Sequence, residues 1–261
     1  MDCNFAKEPT SENCINFLSK FQYVDYLGSG GFGDTFLVKY NDKLYAMKVI
    51  NLSEPEDTIL HEIEILCMVT GLENYVRLID YQKCFRPGLK GIDYPVIKRH
   101  RQEKESYYII MEYCDTSLYS YLEGRTLSQQ EFLSLVFQMV YGWNQGYQKF
   151  GLVHGDLHLQ NILLKYDNND RFYKVDDESF IISGPIVKIS DFGTSSIDGD
   201  VLMDIVVLFD NISELFSHVQ DPEEIDLLSA LELLDENSIP EFLTSDLFLP
   251  LMVPSLNDIR L

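Results

Sequence analysis

The stretch His154-Gly155-Asp156-Leu157-His158-Leu159-Gln160-Asn161, followed by the apolar run Ile162-Leu163-Leu164, decides how the rest of the chain is read. A carboxylate and a carboxamide project from one short loop. That spacing suits Asp156 to a hydroxyl nucleophile and Asn161 to a metal-bound phosphate. Upstream, Ser128 and Glu131 form a capping box, and Phe132, Leu135, Val136, Met139, Val140 and Trp143 make one apolar face, so a buried helix leads into the loop. Downstream, a hairpin through Arg171 to Ser183 and a strand over Val187–Ile189 lead to Ser190-Asp191-Phe192-Gly193. Asp191 then stands at a strand end, where a hard cation such as Mg²⁺ takes oxygen ligands. Helices are expected around Met203–Val219 and Pro222–Asp235.

The first half of the chain reads as antiparallel sheet. Tyr23–Leu27 and Thr35–Tyr40 flank Gly28-Ser29-Gly30-Gly31-Phe32-Gly33, and Lys43–Ile50 follows the Asn41-Asp42 turn. Ile59, Ile63, Leu66 and Val69 recur at helical spacing over Glu56–Val69, and Val76–Tyr81 and Tyr107–Tyr113 complete five strands and one helix. A GxGxxG between two strands makes a hairpin whose side-chain-free tip can lie over phosphates; by itself it serves a plain turn equally well. In Tyr45-Ala46-Met47-Lys48 a lysine sits in an otherwise apolar strand and wants a carboxylate, for which Glu62 on the next helix is placed. A surface lysine, and Glu56, Glu62 and Glu64 on a solvated helix face, are the plainer alternatives.

The 261 residues carry 20 Lys plus Arg against 42 Asp plus Glu, a net charge of −22, with 46% hydrophobic residues. Such a chain has a sizeable core, and its charge disfavours sequence-independent binding to nucleic acid or an anionic membrane. Met1–Lys20 shows no basic stretch leading into an apolar run, and Asp204 breaks the most apolar segment, Val201–Phe209, so neither a signal peptide nor a membrane span is expected. Five cysteines without CxxC spacing favour a reducing, intracellular setting over a disulfide or metal framework. Lys83–Lys104 is the one local charge reversal, a basic insertion containing Lys98-Arg99-His100-Arg101 that reads as a solvated loop or a docking or import patch.

Taken in order, GxGxxG, Ala46-Met47-Lys48, the helix glutamate, HGDLHLQN and Asp-Phe-Gly resemble the protein kinase superfamily from about Phe21 to Val219. The resemblance implies an α+β, bilobal fold: an N-terminal extension over 1–20, an antiparallel N-lobe with one helix over 21–114, and a shortened, mainly helical C-lobe over 115–261 with a hairpin insertion near 166–184. It implies ATP and Mg²⁺, a Ser/Thr protein substrate, and a monomer in the cytoplasm or nucleus, or in a virion or host cell. Asp156 matches the catalytic base, Lys48 the phosphate lysine, Glu62 its partner, and Asn161 and Asp191 the metal ligands. Gly28, Ser29, Gly30, Gly31, Phe32 and Gly33 match the phosphate-covering loop. Met111, Glu112 and Cys114 match the hinge with Met111 as gatekeeper, while Leu27, Thr35, Ala46 and Leu163 match the adenine slot. The glycine loop is similar to those of casein kinases and vaccinia-related kinases. His158 at the usual lysine position, the hairpin insertion and the missing APE motif are similar to haspin and to kinases of large DNA viruses.

Gly155 stands where regulated members carry the arginine that pairs with an activation-segment phosphate, and few residues separate Asp191 from Asp204. The expectation is constitutive activity, with no partner for a phosphate on Thr194, Ser195 or Ser196. His158 leaves open which cation meets the γ-phosphate. The excess of acid points to basic, histone-like substrates, with no direct nucleic-acid binding. Two rivals remain: a small-molecule phosphotransferase of the aminoglycoside or choline kinase kind, whose loop HGDLH also resembles, and a pseudokinase scaffold.

Overall fold

The computed structural model describes residues 11–30, 33–51, 55–85, 105–167, 169–222, 225–227, 231–232, 234–235 and 238–253. The loop tip Gly31-Phe32, most of the basic insertion including Lys98–Arg101, and much of the helix expected over Pro222–Asp235 lie outside the described residues. Two units emerge from the contacts within the chain. One comprises Met1–Gly71, Val76–Tyr113 and Asp191–Gly193, the other Leu72–Tyr75, Cys114–Ser190 and Thr194–Leu261.

The first unit is built on strands β1 (Gln22–Gly30), β2 (Gly33–Tyr40), β3 (Lys43–Asn51), β4 (Leu78–Phe85) and β5 (Glu105–Glu112), antiparallel in the order β1-β2-β3-β5-β4. Alternation sets its faces: Asp34, Phe36 and Val38 are buried along β2 while Thr35 and Leu37 are half-buried. Asn41 and Asp42 take left-handed φ values of 47° and 61°, which a two-residue hairpin turn demands and these side chains tolerate. The expected N-terminal extension is in part a structural element: α1 (Ser11–Leu18) puts Cys14, Phe17 and Leu18 into one core with Phe36, Val38, Met47, Val49, Cys84 and Ile110. An isolated eight-residue helix is unstable, so its identity comes from packing that the sequence pattern does not show. Helix α2 (Glu56–Val69) has the expected bounds. Cys14, Cys84 and Cys114 are thiols.

The second unit follows with β6 (Thr116–Ser117), α3 (Leu118–Leu122), α4 (Gln129–Phe150), β7 (Leu152–Val153), β8 (Ile162–Lys165), β9 (Arg171–Val175), β10 (Glu178–Ile182), β11 (Ile186–Ile189), β12 (Ser196–Ile197), α5 (Leu202–Ser217), α6 (Ile239–Leu243) and a 3₁₀ turn over Asp246–Leu251. Helix α4 begins at the capping box: Ser128 Oγ accepts the Glu131 N–H at 3.2 Å, and Glu131 Oε2 accepts the Ser128 N–H at 3.2 Å. It stops at Gly151, whose left-handed φ of 65° closes the last turn. Gly142 and Gly146 lie on one side of α4, where a methyl group would overlap Asn74 and Tyr75; the missing side chains admit the Leu72–Tyr75 segment into this unit. The β9–β10 hairpin covers α4 with aromatic rings, Tyr173 edge-on and Phe180 tilted against Phe137, and Phe248 meets Phe137 edge-on at 5.5 Å.

Candidate functional site

Register brings most of the predicted first-unit residues to one face of the sheet. Thr35 pairs with Lys48, Lys48 with Ile109, and Ala46 with Met111, so Thr35, Ala46, Lys48 and Met111 share a side. Gly28, Ser29 and Gly30 end β1 opposite Thr35, Asp34 and Gly33, with Leu27 beside them and exposed. Gly33 is fixed by a close approach: a Cβ there would run into the carbonyl oxygen of Val49. A Cβ on Gly30 would lie 3.9 Å from the Asp191 carboxylate, so the bare strand end borders that group. Glu112 pairs with Tyr45, on the opposite face, and its carboxylate accepts the Arg77 N–H at 2.9 Å.

Lys48 is buried, and its ammonium contacts Glu62 Oε1 at 2.6 Å and Asp191 Oδ1 at 3.0 Å. Burial by itself would lower the lysine's pKa. The two carboxylates outweigh it and hold the group charged. An ammonium fixed between two acids is a rigid donor for phosphate oxygens, and removing one member would strand charge in the interior. Asp191 has a left-handed φ of 64°, strain that an aspartate tolerates better than most residues.

In the second unit the loop between β7 and β8 carries Asp156, His158 and Asn161. Asn161 Nδ2 donates to the Asp156 carbonyl at 2.9 Å and to its Oδ2 at 3.3 Å, so amide and carboxylate are oriented together. His158 Nδ1 accepts the Gln160 N–H at 3.2 Å, and Nε2 lies 3.4 Å from Asp156 Oδ2. His158 thus sits beside both members of the pair, its Nε2 also 3.3 Å from Asn161 Nδ2. His154 is similarly committed: Nδ1 accepts the Asp156 N–H at 3.3 Å and Nε2 faces the Ser190 carbonyl at 3.0 Å. Strands β8 and β11 pair Ile162 with Ile189, so Asn161 and Ser190 leave the ladder side by side, and the Asn161 carbonyl accepts both the N–H and Oγ of Ser190.

Helix α5 anchors this loop. Asp204, only 1% exposed, accepts from Trp143 Nε1 (2.9 Å), His154 N (2.6 Å) and Gly155 N (2.8 Å). Asn211, on the same face, donates to the Leu157 carbonyl at 2.7 Å. The sequence alone marks Asp204 only as a break in an apolar segment and gives Asn211 no role. Their signal was present: they are the polar residues on a stripe otherwise made of Leu208, Ile212 and Leu215.

The chain leading into α5 closes on the same loop. Thr194 Oγ1 and Ser195 Oγ both donate to the His154 carbonyl, at 3.3 and 3.0 Å, and Ser196–Ile197 pairs with Leu152–Val153. Gly155 has a φ of 77°, and a Cβ there would meet the Thr194 carbonyl at 2.8 Å. Cys114 and Leu163 also belong to the second unit, Leu163 pairing with Lys188 and Ser117. Among the described residues no helix is long and apolar enough to cross a membrane.

Comparison with known proteins agrees with this geometry. The family model described as the protein kinase domain matches residues 21–201. The chain is 29% identical over 171 residues to an interferon-induced, double-stranded RNA-activated protein kinase of Mus musculus, covering 62% of this chain and 30% of that protein. It is 25% identical over 189 residues to the putative serine/threonine-protein kinase L673 of Acanthamoeba polyphaga mimivirus, covering 71% of this chain and 28% of the other. The chain thus spans about a third of the length of these curated relatives. A solved structure, the PF14_0431 kinase domain, superposes with a TM-score of 0.56 at 18% identity, over 76% of this chain and 64% of that one.

Proposed function

Because the chain belongs to the protein kinase domain family and has that fold, we propose that it transfers the γ-phosphate of ATP to serine or threonine hydroxyls of protein substrates. The observation that carries this is Lys48, buried and held between Glu62 and Asp191. A scaffold relieved of catalysis has no use for an ammonium kept charged in the interior, where each unpaired charge costs several kcal/mol. Lys48 would grip the non-transferred phosphates, and the glycine strand end would let backbone approach them. Asp156 would align the acceptor hydroxyl and take its proton late, positioning being the main contribution in a loose transition state. Asn161 and Asp191 offer amide and carboxylate oxygens, a hard donor set that fits Mg²⁺ completed by phosphate and water. The ion, when bound, neutralises charge developing on the phosphoryl oxygens.

Two finer features belong to the same proposal. Activity needs no phosphate on the chain's own short segment after Asp191, because Thr194 and Ser195 already bond to the His154 carbonyl and no side chain at Gly155 is available to read a phosphate. Kinship within the family lies toward haspin and the kinases of large DNA viruses, supported by His158, the β9–β10 hairpin and the similarity to the mimivirus protein. The test is radiolabelled transfer from ATP and Mg²⁺ to basic and acidic proteins. Wild type is expected to label protein, Asp156→Asn to lose about a hundredfold or more, and phosphatase pretreatment to change little. ATP binding without transfer to any protein refutes the assignment; activity lost on dephosphorylation refutes only the constitutive part.

A further inference from the structure

Strands β8 and β11 are antiparallel neighbours, with Lys165 paired to Ile186, so a two-residue turn would join them. Residues 166–185 lie between instead and contain the β9–β10 hairpin. Its inner side chains do more than fill space. Arg171, buried, reaches Glu73 Oε1 with Nε at 3.0 Å and Asp167 Oδ2 with a second nitrogen at 2.6 Å, which ties the chain entering the hairpin to the Leu72–Tyr75 segment. Two residues on, the Tyr173 hydroxyl accepts from Asn74 Nδ2 at 3.3 Å and donates to Gln138 Oε1 at 3.2 Å. Burial pushes the pKa of that hydroxyl above its ordinary 10, so it keeps its proton and fills both roles. Asn74 and Gln138 are themselves 2% and 0% exposed.

The two amides hold the outer edge of β11 in the sheet ordered β11-β8-β6. Gln138 Oε1 accepts the Val187 N–H at 3.2 Å, Asn74 Nδ2 donates to the Val187 carbonyl at 3.0 Å, and the Asn74 carbonyl accepts the Ile189 N–H at 2.8 Å. A side-chain amide can turn over and exchange its donor for its acceptor; were either to do so here, a group of buried Val187 would lose its partner. The Tyr173 hydroxyl favours the productive orientation of both, because it donates to the Gln138 oxygen and accepts from the Asn74 nitrogen. On its inner edge β11 pairs Ile189 with Ile162, and Ser190 and Asn161, which flank that pair, are joined through the Asn161 carbonyl. We propose that Tyr173 is a positioning residue for the metal site: by orienting Asn74 and Gln138 it fixes the edge of β11, and with it the junction from which Asn161 extends. The assignment rests on the kinase reading, in which Asn161 holds Mg²⁺, and goes beyond it by giving the hairpin insertion a part in catalysis.

The experiment compares the full chain with two variants. Tyr173→Phe deletes the hydroxyl and keeps a ring against Phe137 and Tyr141. Phe248→Leu loosens the same aromatic cluster without touching either amide. The readings are the Mg²⁺ concentration that half-saturates ATP binding in calorimetry, label transfer at saturating Mg²⁺, and hydrogen exchange over residues 186–190 in the metal-free chain. For Tyr173→Phe the Mg²⁺ midpoint should rise about fivefold, less than the roughly 10–100-fold that follows loss of a group bonded directly to a metal ligand, while transfer at saturating Mg²⁺ stays within about twofold of wild type. Exchange over 186–190 should quicken about tenfold. Phe248→Leu should lower the unfolding midpoint and leave the Mg²⁺ midpoint where it was. An unmoved Mg²⁺ midpoint in Tyr173→Phe, or an equal shift in Phe248→Leu, overturns the positioning role. Wild type that binds ATP with Mg²⁺ but labels no protein refutes the kinase reading, and the binding midpoints still decide for or against Tyr173; ATP binding indifferent to Mg²⁺ overturns both.

Discussion

Restoring the arginine that this chain lacks tests the constitutive reading directly. Gly155→Arg, with Gly155→Ala beside it, perturbs a position whose φ of 77° is left-handed. A residue with a Cβ costs about 1–2 kcal/mol there. The new Cβ would lie 2.8 Å from the Thr194 carbonyl, against an ordinary contact of 3.4 Å or more, so that carbonyl must retreat by 3.4 − 2.8 = 0.6 Å. Retreat strains the Thr194 and Ser195 bonds to His154, worth about 1 kcal/mol for one neutral hydrogen bond. The sum is about 2–3 kcal/mol, or a melting temperature lower by about 5–10 °C for a chain of this size. Gly155 is exposed, so the guanidinium itself adds little, and Ala and Arg should cost the same. Urea and thermal unfolding give the stabilities; transfer from labelled ATP, with and without phosphatase treatment, gives the activities. Both variants should lose activity without becoming phosphate-dependent. An arginine variant within about 0.5 kcal/mol of wild type, with activity that phosphatase abolishes, would refute the reasoning.

Asp204→Asn turns an amide N–H₂ toward one of three buried N–H donors; a loss of about 2–3 kcal/mol and slower phosphate transfer are expected, read by urea unfolding and by initial rates. Lys48→Met leaves Glu62 and Asp191 without their cation, so labelling should vanish and stability fall by about 3–5 kcal/mol, checked by unfolding in the absence of ATP. Acid titration should expose the α4 cap. Burial opposes ionisation of Glu131, but the Ser128 N–H, Tyr121, Ser128 Oγ and Arg125 together hold its carboxyl below the ordinary 4.5. Its contribution is therefore present above about pH 4.5 and lost as pH falls through the depressed value, a slope that Glu131→Gln should flatten in urea midpoints measured from pH 6 to 3.

The sheet, α2 and α4 were legible because each carries a long signal: alternation in β2, helical recurrence over Glu56–Val69, and a capping box ahead of a buried face. The Lys48–Glu62 pair was legible for a different reason. A lysine in an apolar strand must find an acid, and the helix that follows offers one on its inner side. What escaped was set by packing across distant parts of the sequence. Helix α1 has too few turns to announce itself and is held by β4 and its neighbours. That the Glu112 carboxylate meets the Arg77 N–H follows from strand register, which sets it on the face opposite Lys48. Asp204 and Asn211 resembled interruptions of an apolar helix, and only the folded loop shows which backbone groups they satisfy.

Asp34, Glu62, Glu112 and Asp204 are the buried carboxylates among the described residues of a chain that has 42 acidic ones. Taking a carboxylate out of water is unfavourable unless donors converge on it, so each marks a place where the fold has spent structure to keep an acid inside. Asp34 follows the glycine strand end and receives the Tyr26 hydroxyl at 3.1 Å; Glu62 holds Lys48; Glu112 ends β5; Asp204 gathers the N–H groups ahead of Asp156. Solubility explains acids that face water and explains none of these. The surplus of acid divides into a few buried groups, each met by donors or a cation of the fold itself, and many left facing water.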